Sequence, residues 1–392
     1  MNQTKWKLTG ILLALVCCLS ACGSPSPSPS QSPDHEETKP LSPPPAMEET
    51  ETPVQKNPID ELLQSMTIEE KVGQMFFARC PETDGAAFAK EYKLGGYILF
   101  GRDFKDKTPE QVKEAIASYQ AAASIPMLIG VDEEGGTVTR VSRYPAFREN
   151  PFLSPRQVYQ AGGLDGLVAD TQEKAQLLLG LGINVNLAPV CDLSDNPDDF
   201  IYQRSLGGDP ETVSTCVSTM VRTMREAGIG STLKHFPGYG DNEDTHTGIA
   251  YDKRAYDTFL TRDFIPFQAA MEAEADSVLV AHNIVDCMDP NLPASLSPEV
   301  HHILREELEF DGVVITDDLA MDAIGQFTDG KSAAVLAVQA GNDLLCCSNV
   351  EEQLPAVLEA VRSGLISEEK IDASVRRVLQ WKMDLGLLEL EK

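Results

Sequence analysis

Five apolar runs in this chain end on residues that can do chemistry. Leu128-Ile129-Gly130-Val131 runs into Asp132, followed by Glu133-Glu134-Gly135-Gly136 and Arg140. The run from Asn186 to Val190 leads to Asp192; further runs close on Lys234-His235, on His282 and on Asp317-Asp318. Carboxylates can attack or carry protons, and imidazole titrates near neutrality. One polar residue at such a point is commonly a loop cap. Five runs ending in Asp, Lys, His or paired Asp read as an active site, although the set by itself does not choose the reaction.

Two glycine-bearing segments adjoin these residues. Phe236-Pro237-Gly238-Tyr239-Gly240-Asp241 follows Lys234-His235 and continues to Asp244-Thr245-His246. Its glycines supply the freedom for a folded-over loop that presents His246 above the site. Gly135-Gly136 would let backbone approach a ligand closely. Simple turn chemistry is the alternative for both. Asp241, Glu243, Asp244 and His246 could instead form a metal loop. Barrel metallohydrolases, however, place a His-x-His on an early strand, and this chain has none. His301 and His302 fall within a helical stretch and read as surface or packing residues.

The elements that must position these groups alternate regularly. Strand candidates end near Ala78, Phe100, Asp132, Val190, Phe236, Asn283, Asp317 and Cys347. Runs such as Tyr97-Ile98-Leu99-Phe100 and Val313-Val314-Ile315 are apolar throughout, as expected of strands covered on both faces. Thr108-Pro109-Glu110, Ser297-Pro298-Glu299 and Ser367-Glu368-Glu369 carry helix start signals. Eight strand–helix units predict a single (β/α)8 barrel of the TIM type over residues 58–392, with its chemistry at the strand ends. An open doubly wound sheet is the alternative, but no Gly-x-Gly-x-x-Gly turn follows any strand.

The first residues belong to something else. Lys5 and Lys7 precede an apolar run, Leu8 to Leu19, too short to span a bilayer comfortably, so residues 1–21 read as an export signal. The run ends in Leu19-Ser20-Ala21-Cys22, which resembles the lipobox of bacterial lipoproteins. That likeness implies cleavage before Cys22 and acylation of its thiol; an ordinary signal cut at a small residue is the alternative. Residues 22–57 are rich in Ser, Pro and Glu and predict a disordered tether, with a reach on the order of 100 Å if extended. The expected location is the outer face of the bacterial cytoplasmic membrane, through the lipid.

Thirty-two Lys and Arg against 61 Asp and Glu leave a formal charge of −29, which disfavours nucleic acid or anionic surfaces as charge-driven partners. No obligate protein partner is evident. Of the cysteines, Cys80, Cys191, Cys216, Cys287, Cys346 and Cys347 remain in the barrel region; they read as mostly buried thiols, with no Cys-x-x-Cys metal site.

Lys234-His235-Phe236-Pro237-Gly238-x-Gly240 resembles the hallmark of glycoside hydrolase family 3. Asp132-x-Glu134-Gly135-Gly136-x-Val138-x-Arg140 is similar to a motif of the same barrel. So are Arg204-Ser205-Leu206-Gly207, Ala281-His282 with Pro293-Ala294-Ser295-Leu296-Ser297, and Thr316-Asp317-Asp318-Leu319-x-Met321. Asp244-x-His246 points to the β-N-acetylglucosaminidase branch, which uses a loop histidine where other members use a glutamate from a second domain. Two departures concern loop detail: Tyr239 stands where the family usually has histidine, and the Lys234-to-Asp244 segment is one residue shorter than in several relatives.

The resemblance implies a retaining mechanism without cofactor or metal. Asp317 matches the nucleophile and His246 the acid/base, with Asp244 holding its ring. Asp318 competes with Asp317, but successive strand residues face opposite ways, so only one should aim inward. Asp132, Arg140, Arg204, Lys234 and His235 match positions that hold sugar hydroxyls and the acetamido group, and Asp192 and His282 join them as candidates. The implied substrate is a terminal β-linked N-acetylglucosamine on a glycan or muropeptide. A β-glucosidase, an N-acetylglucosaminide phosphorylase and a non-catalytic wall-sugar-binding lipoprotein are the alternatives.

Overall fold

The computed structural model describes residues 57–240, 250–321, 324, 327–328 and 332–390. The chain divides into two units, Met1–Val54 and Gln55–Lys392, and the described residues all belong to the second. Cys22, the export signal, the tether, Asp244 and His246 lie outside them.

The apolar runs form β1 (Phe76–Arg79), β2 (Gly96–Leu99), β3 (Leu128–Val131), β4 (Val185–Asn186) and β5 (Gly230–Phe236). After them come β6 (Tyr251–Asp252), β7 (Ser277–Val280), β8 (Ile284–Val285), β9 (Val313–Thr316) and β10 (Leu345–Cys347). Eight of these make one parallel sheet in the order β10-β1-β2-β3-β4-β5-β7-β9. A parallel bridge from Ile315 to Leu344 brings β9 back to β10, giving a (β/α)8 barrel of the TIM type. β6 and β8 pair separately as a two-stranded ribbon.

The alternation of side chains divides the barrel cleanly. Phe77, Ile98, Leu128, Val185, Leu279, Ile315 and Cys346 share one buried cluster, the lumen. Their strand neighbours Phe76, Tyr97, Ile129 and Leu345 instead pack outward with the helices. Helix Glu368–Asp384 contributes Val378 and Trp381 to the lumen cluster. A Cβ on Gly230, at the start of β5, would lie 2.9 Å from the Trp381 ring, so this indole closes the end opposite the active-site face.

The helix starts follow the expected chemistry. Thr108, Ser297 and Ser367 each accept a backbone N–H as N-cap, and Thr108 forms a full capping box with Gln111. Two strand ends differ from expectation. β4 stops at Asn186, and pairing resumes only at the Val190–Lys234 bridge beyond a cis Ala188–Pro189 peptide. β7 ends at Val280, after which the chain turns off to form β8. Five of the six cysteines are buried and Cys287 is exposed; all six are free thiols.

Candidate active site

Three acidic residues follow β3, and each has a different task. Glu133 is fully buried and accepts backbone N–H groups from Arg140 (2.8 Å), Val141 (2.7 Å) and Ser142 (3.3 Å). This folds the loop back on itself and sends Arg140 toward Phe100, with 6.0 Å from guanidinium carbon to ring centroid. Gly135 and Gly136 do not open the backbone to a ligand, as the sequence suggested. A Cβ on Gly135 would lie 2.1 Å from the Leu153 carbonyl oxygen, and one on Gly136 2.8 Å from Ser154 Cβ. With φ of 101° and 63°, both glycines are needed so that the loop can pack on its own chain.

Glu134 is the hub of the site. Arg204 donates to it through Nε (3.0 Å) and Nη2 (2.7 Å), and Lys234 Nζ lies 2.6 Å from its Oε1. Lys234 also donates to Asp132 at 2.6 Å. Burial alone would raise the Glu134 pKa, but Arg204 and Lys234 outweigh it and hold the carboxyl well below the usual range. Burial likewise opposes the charge on Arg204, and Glu134 more than restores it. Glu134 therefore keeps two cations charged where water does not reach.

Lys234 and His235 both reach this network, although they are neighbours on β5. The β5–β7 pairing shifts register between Leu233 and Phe236, and the Lys234–His235 peptide is cis. His235 Nδ1 meets Asp192 Oδ2 at 2.7 Å, and its Nε2 meets Arg204 Nη2 at 2.9 Å. Asp192 also accepts the backbone N–H of His235 (3.0 Å) and of Tyr239 (2.6 Å). It is nearly inaccessible, so its role here is to orient His235 and the start of the following loop. The Tyr239 ring stands edge-on to His235, with centroids 5.7 Å apart.

The two ends of the segment leaving β5 are tied by Arg254. Its guanidinium grips both oxygens of Asp252 and both of Asp263, and donates to the Gly238 carbonyl at 3.2 Å. Nothing in the sequence singled out this residue.

Of the paired aspartates after β9, Asp317 has the inward parity of Val313 and Ile315. Its Oδ1 accepts the Asp318 N–H at 2.8 Å. Asp318 turns away and accepts from Ala320 N (3.0 Å), Ser348 N (3.1 Å) and the Ser348 hydroxyl. His282 lies fully buried behind this pair. Its Nε2 contacts the Asp318 carbonyl at 3.0 Å and its Nδ1 the Ser295 hydroxyl at 2.7 Å, so it supports the nucleophile's backbone through protein partners. Burial, then Asp318 and Asp317, raise the Cys346 thiol well above its usual pKa, which leaves it no part as a thiolate nucleophile.

The structure thus brings Asp132, Arg204, Lys234, His235 and Asp192 into one network, places Asp317 on the same mouth and sets Arg140 against Phe100. Sequence reasoning did not single out Glu134 as a hub, nor Arg79, the inward residue at the end of β1. Among the described residues no cluster of His, Cys, Asp and Glu could hold a metal ion.

Residues 67–381 match the glycosyl hydrolase family 3 N terminal domain. The chain belongs to this family. The family 3 beta-hexosaminidase of Idiomarina loihiensis is 33% identical over 311 residues, 76% of this chain and 89% of that protein. That of Xanthomonas campestris pv. campestris is 38% identical over 239 residues, 59% and 70% of the two chains. A solved family 3 beta-N-acetylglucosaminidase from Paenibacillus sp. str. FPU-7 matches with a TM-score of 0.76 at 35% identity. It is covered over 84% of this chain, which spans 65% of the Paenibacillus chain.

Proposed function

We propose that this family 3 β-N-acetylhexosaminidase is a retaining exo-enzyme that releases terminal N-acetyl-β-D-glucosamine from peptidoglycan fragments. The observation that carries the reading is the Glu134-centred network beside an inward-facing Asp317. Lys234 has three N–H donors, of which Asp132 and Glu134 engage two; Arg204 keeps its Nη1 donors beyond those given to Glu134 and His235. These spare donors, with the partly exposed Asp132 as acceptor, suit the hydroxyl and amide groups of one sugar.

In the proposed reaction the Asp317 carboxylate attacks the anomeric carbon while the bond to the leaving oxygen breaks. His246, as imidazolium, gives that oxygen its proton, and Asp244 favours the charged ring. A water then attacks the glycosyl–Asp317 ester. His246 takes its proton, the hydroxyl stays on the sugar with net retention, and Asp317 is released. The assignments of His246 and Asp244 rest on the Asp-x-His motif, and anchoring at Cys22 rests on the Leu-Ser-Ala-Cys sequence.

The test is a product assay on N-acetylglucosaminyl-N-acetylmuramic acid, with and without inorganic phosphate, and on aryl N-acetyl-β-glucosaminide. Free N-acetylglucosamine of retained configuration, formed in the presence of chelator, is the expected product. A sugar 1-phosphate would make the enzyme a phosphorylase, and equal turnover of an aryl β-glucoside would make it a β-glucosidase.

A further inference from the structure

The mouth of β1 carries a cation that the network above does not use. Phe77 faces the lumen, and the two-residue period of a strand puts Arg79 on the same face at the C-terminal end. β2 repeats the pattern: Ile98 lies in the lumen, and Phe100, just past the strand, packs on the same cluster. The Arg79 guanidinium carbon is 4.7 Å from the centroid of the Phe100 ring, and that of Arg140 is 6.0 Å away. One aromatic ring therefore receives two guanidinium groups from two different segments of the mouth.

Both guanidinium groups lack the partners that the other mouth cations have. The Nε atoms of Arg79 and Arg140 are buried and make no hydrogen bond, whereas Arg204 and Lys234 are satisfied by Glu134 and Asp132. The acid nearest in effect to Arg79 is Asp103, and it is engaged elsewhere: burial raises its pKa, and it accepts the Phe100 N–H at 2.7 Å. In a chain with a net charge of −29, unpaired cations at a barrel mouth do not reflect a shortage of acids. Two like charges over one ring, with buried donors unsatisfied, are stabilised when an oxyanion enters between them. A guanidinium fork matches a carboxylate in shape as well as charge.

We propose that Arg79, on its Phe100 platform and flanked by Arg140, is a subsite for a carboxylate carried by the leaving-group sugar. The inference rests on the β-N-acetylglucosaminidase reading above. Its direction comes from the strand order. The groups that grip the terminal sugar come from β3, β5 and the segment after β4, while β1 stands four strands from β5 and is separated from β9 by β10 alone. A sugar gripped on the β3–β5 side, with its anomeric carbon at Asp317, points its remaining bond toward the half of the ring that Arg79 occupies. The same chemistry would also accept free inorganic phosphate, so the test separates the two sources.

The experiment compares N-acetylglucosaminyl-N-acetylmuramic acid with N,N′-diacetylchitobiose, which lacks the lactyl carboxylate on the reducing sugar. In Arg79→Met, kcat/KM for the lactyl-bearing disaccharide should fall ~10- to 100-fold more than for chitobiose, the scale of one charge-assisted contact, and chiefly through KM. Arg79→Lys, which keeps the charge and guards against a folding artefact, should retain part of the preference. An equal loss on both disaccharides, or no loss on either, overturns the subsite. Suppose instead that Arg79→Met leaves the preference intact but abolishes inhibition by inorganic phosphate on an aryl substrate. The anion is then free phosphate and the leaving-sugar assignment is overturned. Failure of the wild type on both disaccharides, with turnover of aryl β-glucosides, would sink the parent reading and is recognisable as such.

Discussion

Arg204 donates to Nε2 of His235 at 2.9 Å, and this contact settles the tautomer of the histidine. Arginine has only donors, so Nε2 must offer its lone pair, and the ring proton sits on Nδ1 facing Asp192 at 2.7 Å. Glu134, Arg204, His235 and Asp192 form one chain in which each group fixes the next. His235 is held neutral, with both ring nitrogens engaged by protein. It sets the direction of Arg204, and Arg204 is the member of the chain with donors left for a sugar.

Glu134→Gln should therefore do more harm than removing one contact. It leaves Arg204 and Lys234 buried with less countercharge, a loss on the order of 3–5 kcal/mol when one partner of a buried pair is removed. Because the folded pKa of Glu134 is depressed, its contribution is fully present above the unfolded value near 4.3 and declines as pH falls below it. Urea midpoints of wild type and variant should converge between about pH 5 and pH 3. Parallel curves over that window would show that Glu134 is not the ionised hub.

A second pH prediction comes from the far end of the barrel. Lys382, on helix Glu368–Asp384, is fully buried, and its Nζ donates to Gln74 Oε1 at 2.6 Å. Burial lowers its pKa to about 7. The folded state thus binds fewer protons than the unfolded state between pH 7 and the unfolded value near 10.4, so this group makes stability rise with pH over that window. Relative to Lys382→Met, the wild type should gain a few kcal/mol between about pH 7 and pH 10, with little relative change below pH 7. A pH-independent difference in urea midpoint would place the Lys382 charge elsewhere.

The barrel was legible in the sequence because parallel strands covered on both faces leave unbroken apolar runs, and because Thr108, Ser297 and Ser367 carry explicit caps. The choice of Asp317 over Asp318 was legible too, since it needs only strand parity. Glu133 and Glu134 were not separable, because adjacent acids look alike until the fold gives one to backbone N–H groups and the other to cations. Asp192 and His282 read as sugar contacts from their place at strand ends. Their partners His235 and Ser295 come from other segments, and such long-range pairing leaves no local mark. Arg79 could have been found from its two-residue spacing to Phe77, had β1 been read for its mouth residue as the other strands were.

The proposed anchor makes a separate prediction. Cys22→Ala should abolish fatty-acid labelling and release the protein from the membrane fraction, leaving activity on soluble substrates intact. One acyl chain holds a protein only marginally whereas two hold it stably, so retention requires diacylation at Cys22. Unchanged labelling in the variant would sink the lipobox assignment.

The division of labour between Asp317 and His246 can be read from leaving-group dependence. Asp317→Ala removes the group proposed to form the covalent intermediate, so every substrate should suffer alike. His246→Ala should cost far less on a dinitrophenyl glycoside, which needs little protonation to depart, than on a disaccharide. General acid/base groups contribute roughly 100- to 10,000-fold, and that is the loss expected on unactivated sugars. Asp244→Asn keeps the shape but removes the charge favouring imidazolium, so it should behave as a milder His246 variant. The deciding quantity is the ratio of glycosylation rates on the two substrates. Should His246→Ala slow both equally, His246 positions substrate and donates no proton, and Asp241 and Glu243 become the next candidates for the acid.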